Sequence, residues 1–435
     1  MRLAAATILP GAKGRLLPPS IPFAFFTAAL VFHVLLWVVV IYAASDIASF
    51  RGGLGHPLGA LHVLTLGVLA STAMGAALQL LPVATRQPLA ALWPARAAFW
   101  FFVPGTMLLV HGMGEGNSVA LAVGGIAAAS GLGLFAILVA DNLRRAPELG
   151  AVGLHAWVAL GAVAMLLAAG LALAFDFSAG FLSGHAAVAL AHGLLGLYGF
   201  MGTLALGFSY ILVPMFALAE AVPNRWSEGT LALWTAALVL AVVGALAAFE
   251  PLVAAAAILG LAAALAHIGA LARVLKGRMR RHLGLSFILL RVGWGALVVS
   301  LILGGLAALG WLGPRGSALF GFVAAFGWLL TFLLGVLQRI LSFLGSMHAA
   351  KGGRPPLVSE LTREWALALH AACHGTALAA IFAGIAADLP AAVRFGGVVG
   401  LCGAIAFAWF GAVVLHHVFR RPAAPVPRIA ALREH

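Results

Sequence analysis

Histidine carries most of the polar chemistry open to this sequence. There are 15 histidines in 435 residues, against 12 Asp plus Glu, and most of them lie inside long apolar runs. A neutral imidazole offers one N–H donor and one lone pair, and that lone pair is a metal ligand. Ionisable groups in a membrane interior are expensive, so each is a functional candidate by default.

His62 and His192 stand out, because they lie at the starts of the similar runs LHVLTLGVLASTAMGAALQLLPV and AHGLLGLYGFMGTLALGFSYILVPMF. His62 lies five residues before Gly67 and His192 seven before Gly199. On equivalent helices their depths differ by two residues, or roughly 3 Å at 1.5 Å per residue. Two imidazoles at matched depth can clamp a haem iron axially or share a copper ion. His111 and His33, on neighbouring segments, are candidate third ligands.

A second constellation is LHAACHG, where His370 and His374 are four apart and share one helical face. That spacing suits bidentate metal binding, or a haem contact together with a propionate contact. It lacks the Glu of a zinc-protease HExxH. Buried, hydrogen-bonded histidines are the plainer account of the same pattern. His348 is expected on the same side, and His416–His417 suit a helix C-terminus.

The elements that must position these residues follow from composition. With 63% hydrophobic and 9% charged residues, the chain has too few polar side chains to cover a water-facing surface. A transmembrane helix needs about 20 apolar residues. The runs predict twelve, at 21–44, 57–82, 97–115, 119–141, 152–175, 185–218, 230–249, 252–272, 284–310, 316–347, 365–386 and 395–418. The fold class expected is an all-α polytopic membrane protein. A cytoplasmic tail (1–20), a membrane domain (21–418) and a basic cytoplasmic tail (419–435) make up the chain. The first segment exceeds a signal-peptide core in length, so it is read as retained.

Charge sets the expected orientation. With both termini cytoplasmic, 20 of the 25 Lys and Arg fall in cytoplasmic loops and tails. Arg51, Arg315 and Arg394 fall outside, while Arg291 and Arg339 lie within spans. The net charge of +13 is thereby a topology signal and not a nucleic-acid surface. Cys373 and Cys402 form no CxxC and no disulfide framework.

The second, sixth and tenth segments share a stripe of small residues. It reads Gly67-xxx-Ser71-xxx-Gly75, Gly199-xxx-Thr203-xxx-Gly207 and Gly327-xxx-Thr331-xxx-Gly335. Pro82, Pro214 and Ser342 follow seven residues after the last Gly of each stripe. Small-xxx-small stripes are common in membrane helices. A match at the same place in three four-helix units (about 21–141, 152–272 and 284–418) points instead to a threefold internal duplication. Gly67, Gly75, Gly199 and Gly207 would let a partner backbone or a flat macrocycle approach closely. No phosphate loop, dinucleotide fingerprint or nucleophile elbow is present, and no line of carboxylates crosses the membrane as proton pumping would require.

Twelve helices in three units, with His near the outer ends of segments 2 and 6, resemble the haem-copper oxidase subunit I superfamily. The chain is most similar to its reduced, NnrS-type relatives, membrane proteins of nitric-oxide response that contain haem and copper. By that resemblance His62 matches a low-spin haem ligand, and His192 lies on the helix that carries a copper ligand. Segment 10 opens SALFGFVAAFGW, with no His for axial ligation, and TLALWTAALVLAVV in segment 7 lacks the His-His pair. Tyr198 is six residues after His192, so the oxidase His–Tyr partnership is not reproduced. The resemblance implies haem b, copper or both, in electron transfer or the response to nitric oxide or metal stress, without oxygen-reducing turnover. It also implies a bacterial-type inner (plasma) membrane and, besides the lipid bilayer, respiratory or denitrification partner proteins. A transporter for a small solute or metal ion, and a cofactor-free assembly or accessory subunit, are the alternatives.

Overall fold

The computed structural model describes residues 16–50, 52–349 and 356–420. Most of both tails lies outside the described residues, as do Arg51, Lys351 and Arg354 of the charge count. Among the described residues, twelve helices are long and apolar enough to span a membrane. They are α1 Pro22–Tyr42, α2 His56–Ala84, α3 Trp93–Glu115, α4 Ser118–Arg144, α5 Ala151–Ala179 and α6 His185–Ala217. The others are α7 Asn224–Leu246, α8 Glu250–Lys276, α9 Leu285–Ala308, α10 Gly313–His348, α11 Glu364–Ala387 and α12 Pro390–Phe419. Each overlaps one expected segment, and no strand occurs among the described residues. The protein is an all-α polytopic membrane protein.

Three helices form the centre. The most apolar stretches of α2, α6 and α10 are 72%, 72% and 67% buried, whereas those of the other nine are 33–56% buried. Outer helices turn large apolar side chains such as Val31, Trp100, Ile137 and Ile258 outward. Such a surface would aggregate in water and is satisfied by lipid tails.

The central helices share a feature that hydropathy does not reveal. Each contains an eight-residue π-helical stretch: Val63–Ala70, Leu195–Gly202 and Val323–Leu330. Their starts are separated by 132 and 128 residues, the spacing of the glycine stripes. All three stretches touch one another. The residue just after each stretch is the hydroxyl residue of the stripe. Ser71 donates to Leu66 O at 3.3 Å, Thr203 to Tyr198 O at 3.1 Å and Thr331 to Phe326 O at 3.0 Å. A π turn widens the helix and strands carbonyls that no water in the core can satisfy. These i−5 hydroxyls add a donor at such carbonyls; Leu66 O also accepts from Ser71 N–H, and Tyr198 O from Trp234 Nε1–H at 3.1 Å.

The stripe glycines serve helix packing. A Cβ on Gly67 would lie 2.5 Å from the Phe32 ring of α1, and one on Gly75 would lie 3.0 Å from Phe25 Cβ. On Gly199 it would lie 2.8 Å from Ala162 Cβ, and on Gly207 2.5 Å from His155 Cβ, both on α5. The expectation that these four glycines pack against a cofactor is therefore corrected. The small residues draw in the preceding helix, because close backbone approach maximises dispersion contacts where lipid supplies no hydrophobic drive. Arg339, inside α10, donates to Ser286 Oγ at 2.7 Å and to the Leu283 carbonyl, which answers its charge within the protein.

Candidate functional site

His62 is the last residue before the π-helical stretch of α2, and His192 lies three residues before that of α6. The structure brings them together. Their rings are nearly parallel, at 18°, with centroids 6.4 Å apart. His62 Nδ1–H donates to Leu58 O one turn earlier at 3.0 Å. His192 Nδ1–H donates across to Leu166 O of α5 at 3.2 Å. A carbonyl can only accept, so both protons belong on Nδ1 and both Nε2 atoms keep a lone pair. This orienting bond on the far ring nitrogen is the usual support of a metal-ligating histidine. Neither Nε2 is hydrogen-bonded among the described residues. With metal–nitrogen bonds of about 2 Å, two opposed imidazoles on one ion have centroids about 6 Å apart. The observed spacing fits that arrangement.

Both rings line a cavity of about 280 Å³ enclosed by α2 through α6. Its walls are apolar and rich in small residues, among them Gly125, Ala128, Gly170, Gly193 and Gly196. No Asp, Glu, Lys or Arg among the described residues lines it. At one end His185 Nδ1 pairs with Asp176 Oδ2 at 2.6 Å, and Asp176 Oδ1 accepts from Leu182 N–H at 2.6 Å. These bonds fold the α5–α6 turn over the cavity. Thr65 also lines the cavity, but its hydroxyl donates to Leu61 O at 2.9 Å. A largely apolar slot with imidazole lone pairs favours a soft or borderline metal, bare or in a macrocycle, over a hydrated cation.

The other candidates land elsewhere. His111 is exposed on α3 and does not line this cavity, so it does not assist the pair. His33 is also absent from the cavity lining. It joins His370 and His374 in a separate buried group, with ring centroids 5.7 Å apart for His33–His370 and 5.6 Å for His370–His374. No group of three or more His, Cys, Asp or Glu among the described residues is arranged to hold a metal. His348 packs edge-on against Phe23 at 5.9 Å, and His417 Nδ1–H donates to Val413 O at 2.8 Å.

A further buried group, unforeseen from the sequence, joins three helices. Tyr210 of α6 lies 5.4 Å from His155 of α5 and 4.8 Å from His267 of α8, centroid to centroid. Only the fold brings these rings together; each alone reads as a polar residue on an apolar helix.

A second cavity, of about 260 Å³, is lined by α6 through α10. Its Leu190, Leu194 and Tyr198 lie 132 residues after Leu58, His62 and Leu66 of the first cavity. Its Ser317 and Phe320 lie 128 residues after Ala189 and His192. Leucine and phenylalanine thus stand where the first cavity has its two imidazoles. Tyr198 belongs to this second cavity and donates to Ser300 Oγ of α9 at 2.9 Å. No family model matches the chain, and no curated protein matches it.

Proposed function

We propose that this protein binds a redox-active metal centre between His62 and His192, as haem b, as copper, or as both, within the membrane. The observation that carries the reading is the pair of near-parallel imidazoles at 6.4 Å, each oriented through Nδ1 and each keeping its Nε2 lone pair beside the cavity. A haem or copper ion bound there would supply one-electron chemistry. The chain's own part is to hold both rings, exclude water with the glycine- and alanine-rich wall, and close one end through His185 and Asp176. An apolar setting without counter-charges favours the lower-charged state of a bound metal.

On this reading the protein serves electron transfer or the response to nitric oxide or metal stress in a bacterial-type inner membrane. Both termini are cytoplasmic, and its partners are respiratory or denitrification proteins. The resemblance to haem-copper oxidase-like, NnrS-type proteins supports this, as does the single His pair, too small a set for an oxygen-reducing dinuclear centre. The recurring π-helical stretches and the two corresponding cavities support a chain built of three four-helix units, with the site between the first and the second.

The test is purification in mild detergent from haem- and copper-replete cells, with a reduced-minus-oxidised spectrum and metal analysis. Expected is a bis-imidazole haem spectrum or stoichiometric copper, lost in both His62→Ala and His192→Ala and retained in His111→Ala. A colourless, metal-free wild-type protein refutes the proposal. Solute uptake into proteoliposomes that survives both His substitutions would favour a transporter.

A further inference from the structure

The third group of helices, where α10, α11, α12 and α1 meet, holds His33, His370 and His374, each 1–2% exposed. One ring nitrogen of each is hydrogen-bonded, and the nature of the partner constrains where its proton lies. His370 Nδ1 lies 3.2 Å from Gly403 O, and a carbonyl only accepts, so His370 is Nδ1–H with a lone pair on Nε2. Trp37 Nε1–H donates to His33 Nε2 at 3.2 Å, so the proton of neutral His33 is on Nδ1. Thr331 spends its hydroxyl proton on Phe326 O, as Ser71 and Thr203 do after the other π-helical stretches. Its oxygen therefore accepts from His374 Nε2–H at 2.8 Å, and His374 keeps a lone pair on Nδ1.

The remaining nitrogens, His33 Nδ1, His370 Nε2 and His374 Nδ1, are buried without a protein partner. They amount to one donor and two acceptors. Leaving three such groups unsatisfied in a membrane protein core is strongly unfavourable. We infer that these three nitrogens bind one small neutral ligand that accepts one hydrogen bond and donates two, namely a single water molecule. A buried water ordinarily makes about three hydrogen bonds to polar groups of this kind. A cation is the wrong complement: His33 presents N–H, and turning that proton away would deprive Trp37 Nε1–H of its acceptor. The i, i+4 spacing of His370 and His374 therefore serves a hydrated polar plug, with Phe407 packed on both His33 and His370 at 6.0 and 4.7 Å.

The experiment is solid-state NMR of ¹⁵N-histidine-labelled protein in lipid bilayers, prepared without added metal. Single substitutions His33→Gln, His370→Gln and His374→Gln assign the three side chains. Expected are neutral Nδ1–H tautomers for His33 and His370, a neutral Nε2–H tautomer for His374, and a cross-peak from His33 Nδ1–H to a slowly exchanging water. Metal analysis of copper- and zinc-loaded protein should give the same stoichiometry for wild type and a His370→Gln/His374→Gln variant. Two outcomes overturn the inference: a different tautomer set without the water cross-peak, or a metal equivalent lost in that double variant. Neither depends on whether His62 and His192 hold a metal.

Discussion

Gly170→Ala should weaken the His62–His192 centre while leaving the fold intact. A Cβ at Gly170 would lie 2.9 Å from His192 Cε1 and 3.4 Å from its Nδ1. Ordinary contact begins at 3.4 Å, so the ring must withdraw by about 0.5 Å. The ring is the far end of a side chain and can yield, which is why unfolding is not expected. Its anchor cannot follow. The bond from Nδ1 to Leu166 O is already 3.2 Å, and a further half-ångström takes it past hydrogen-bonding distance. Losing such an orienting partner typically lowers metal affinity 10- to 100-fold, about 1.4–2.7 kcal/mol. Competition titration against a chromophoric Cu(I) chelator, with a parallel haem-absorbance titration, measures the effect. The control is Gly161→Ala on the same helix, where a Cβ meets nothing within 4 Å. Wild-type affinity in Gly170→Ala, or an equal loss in Gly161→Ala, would refute the reasoning.

Two further outcomes test the frame around the site. Gly124→Ala sets a methyl group against the backbone nitrogen of Leu109 where α3 and α4 cross, and backbone cannot swing aside. It should cost about 1–3 kcal/mol or more, seen as a lower melting temperature in detergent, whereas Gly133→Ala, whose nearest neighbour is 4.0 Å away, should be near neutral. Thr203→Val keeps the shape but removes the hydroxyl that donates to Tyr198 O and shares Trp234 Nε1–H with it, leaving the direct Trp234 Nε1–H to Tyr198 O bond at 3.1 Å. A loss of about 0.5–1.5 kcal/mol is expected, restored by Thr203→Ser; an unchanged melting temperature would mean that the π-helical stretch does not depend on that hydroxyl.

The division between what could and could not be read in advance follows the range of the interactions. Spans are legible because hydropathy sums over about 20 neighbouring residues, and all twelve lie where the apolar runs placed them. The matched depth of His62 and His192 was legible too, since helical rise converts sequence position into depth; that their rings meet was not. The glycine stripes were legible as spacing but not as contacts. Phe32 and His155 fill the positions where a cofactor was expected, and which neighbour a small residue admits depends on the helix opposite.

By itself the sequence determined twelve membrane helices, a trio of them marked by small residues, and an unusual reserve of histidine for the interior. Tertiary structure alone decided how the histidines group. It set His62 against His192, separated His33 from them to join His370 and His374, and left His111 exposed. It also decided which nitrogen of each ring is engaged, through carbonyls and hydroxyls such as Leu166 O, Gly403 O and Thr331 Oγ1. The physical reason is that an imidazole's role depends on where its one proton goes, and most of the acceptors that settle this lie on other helices.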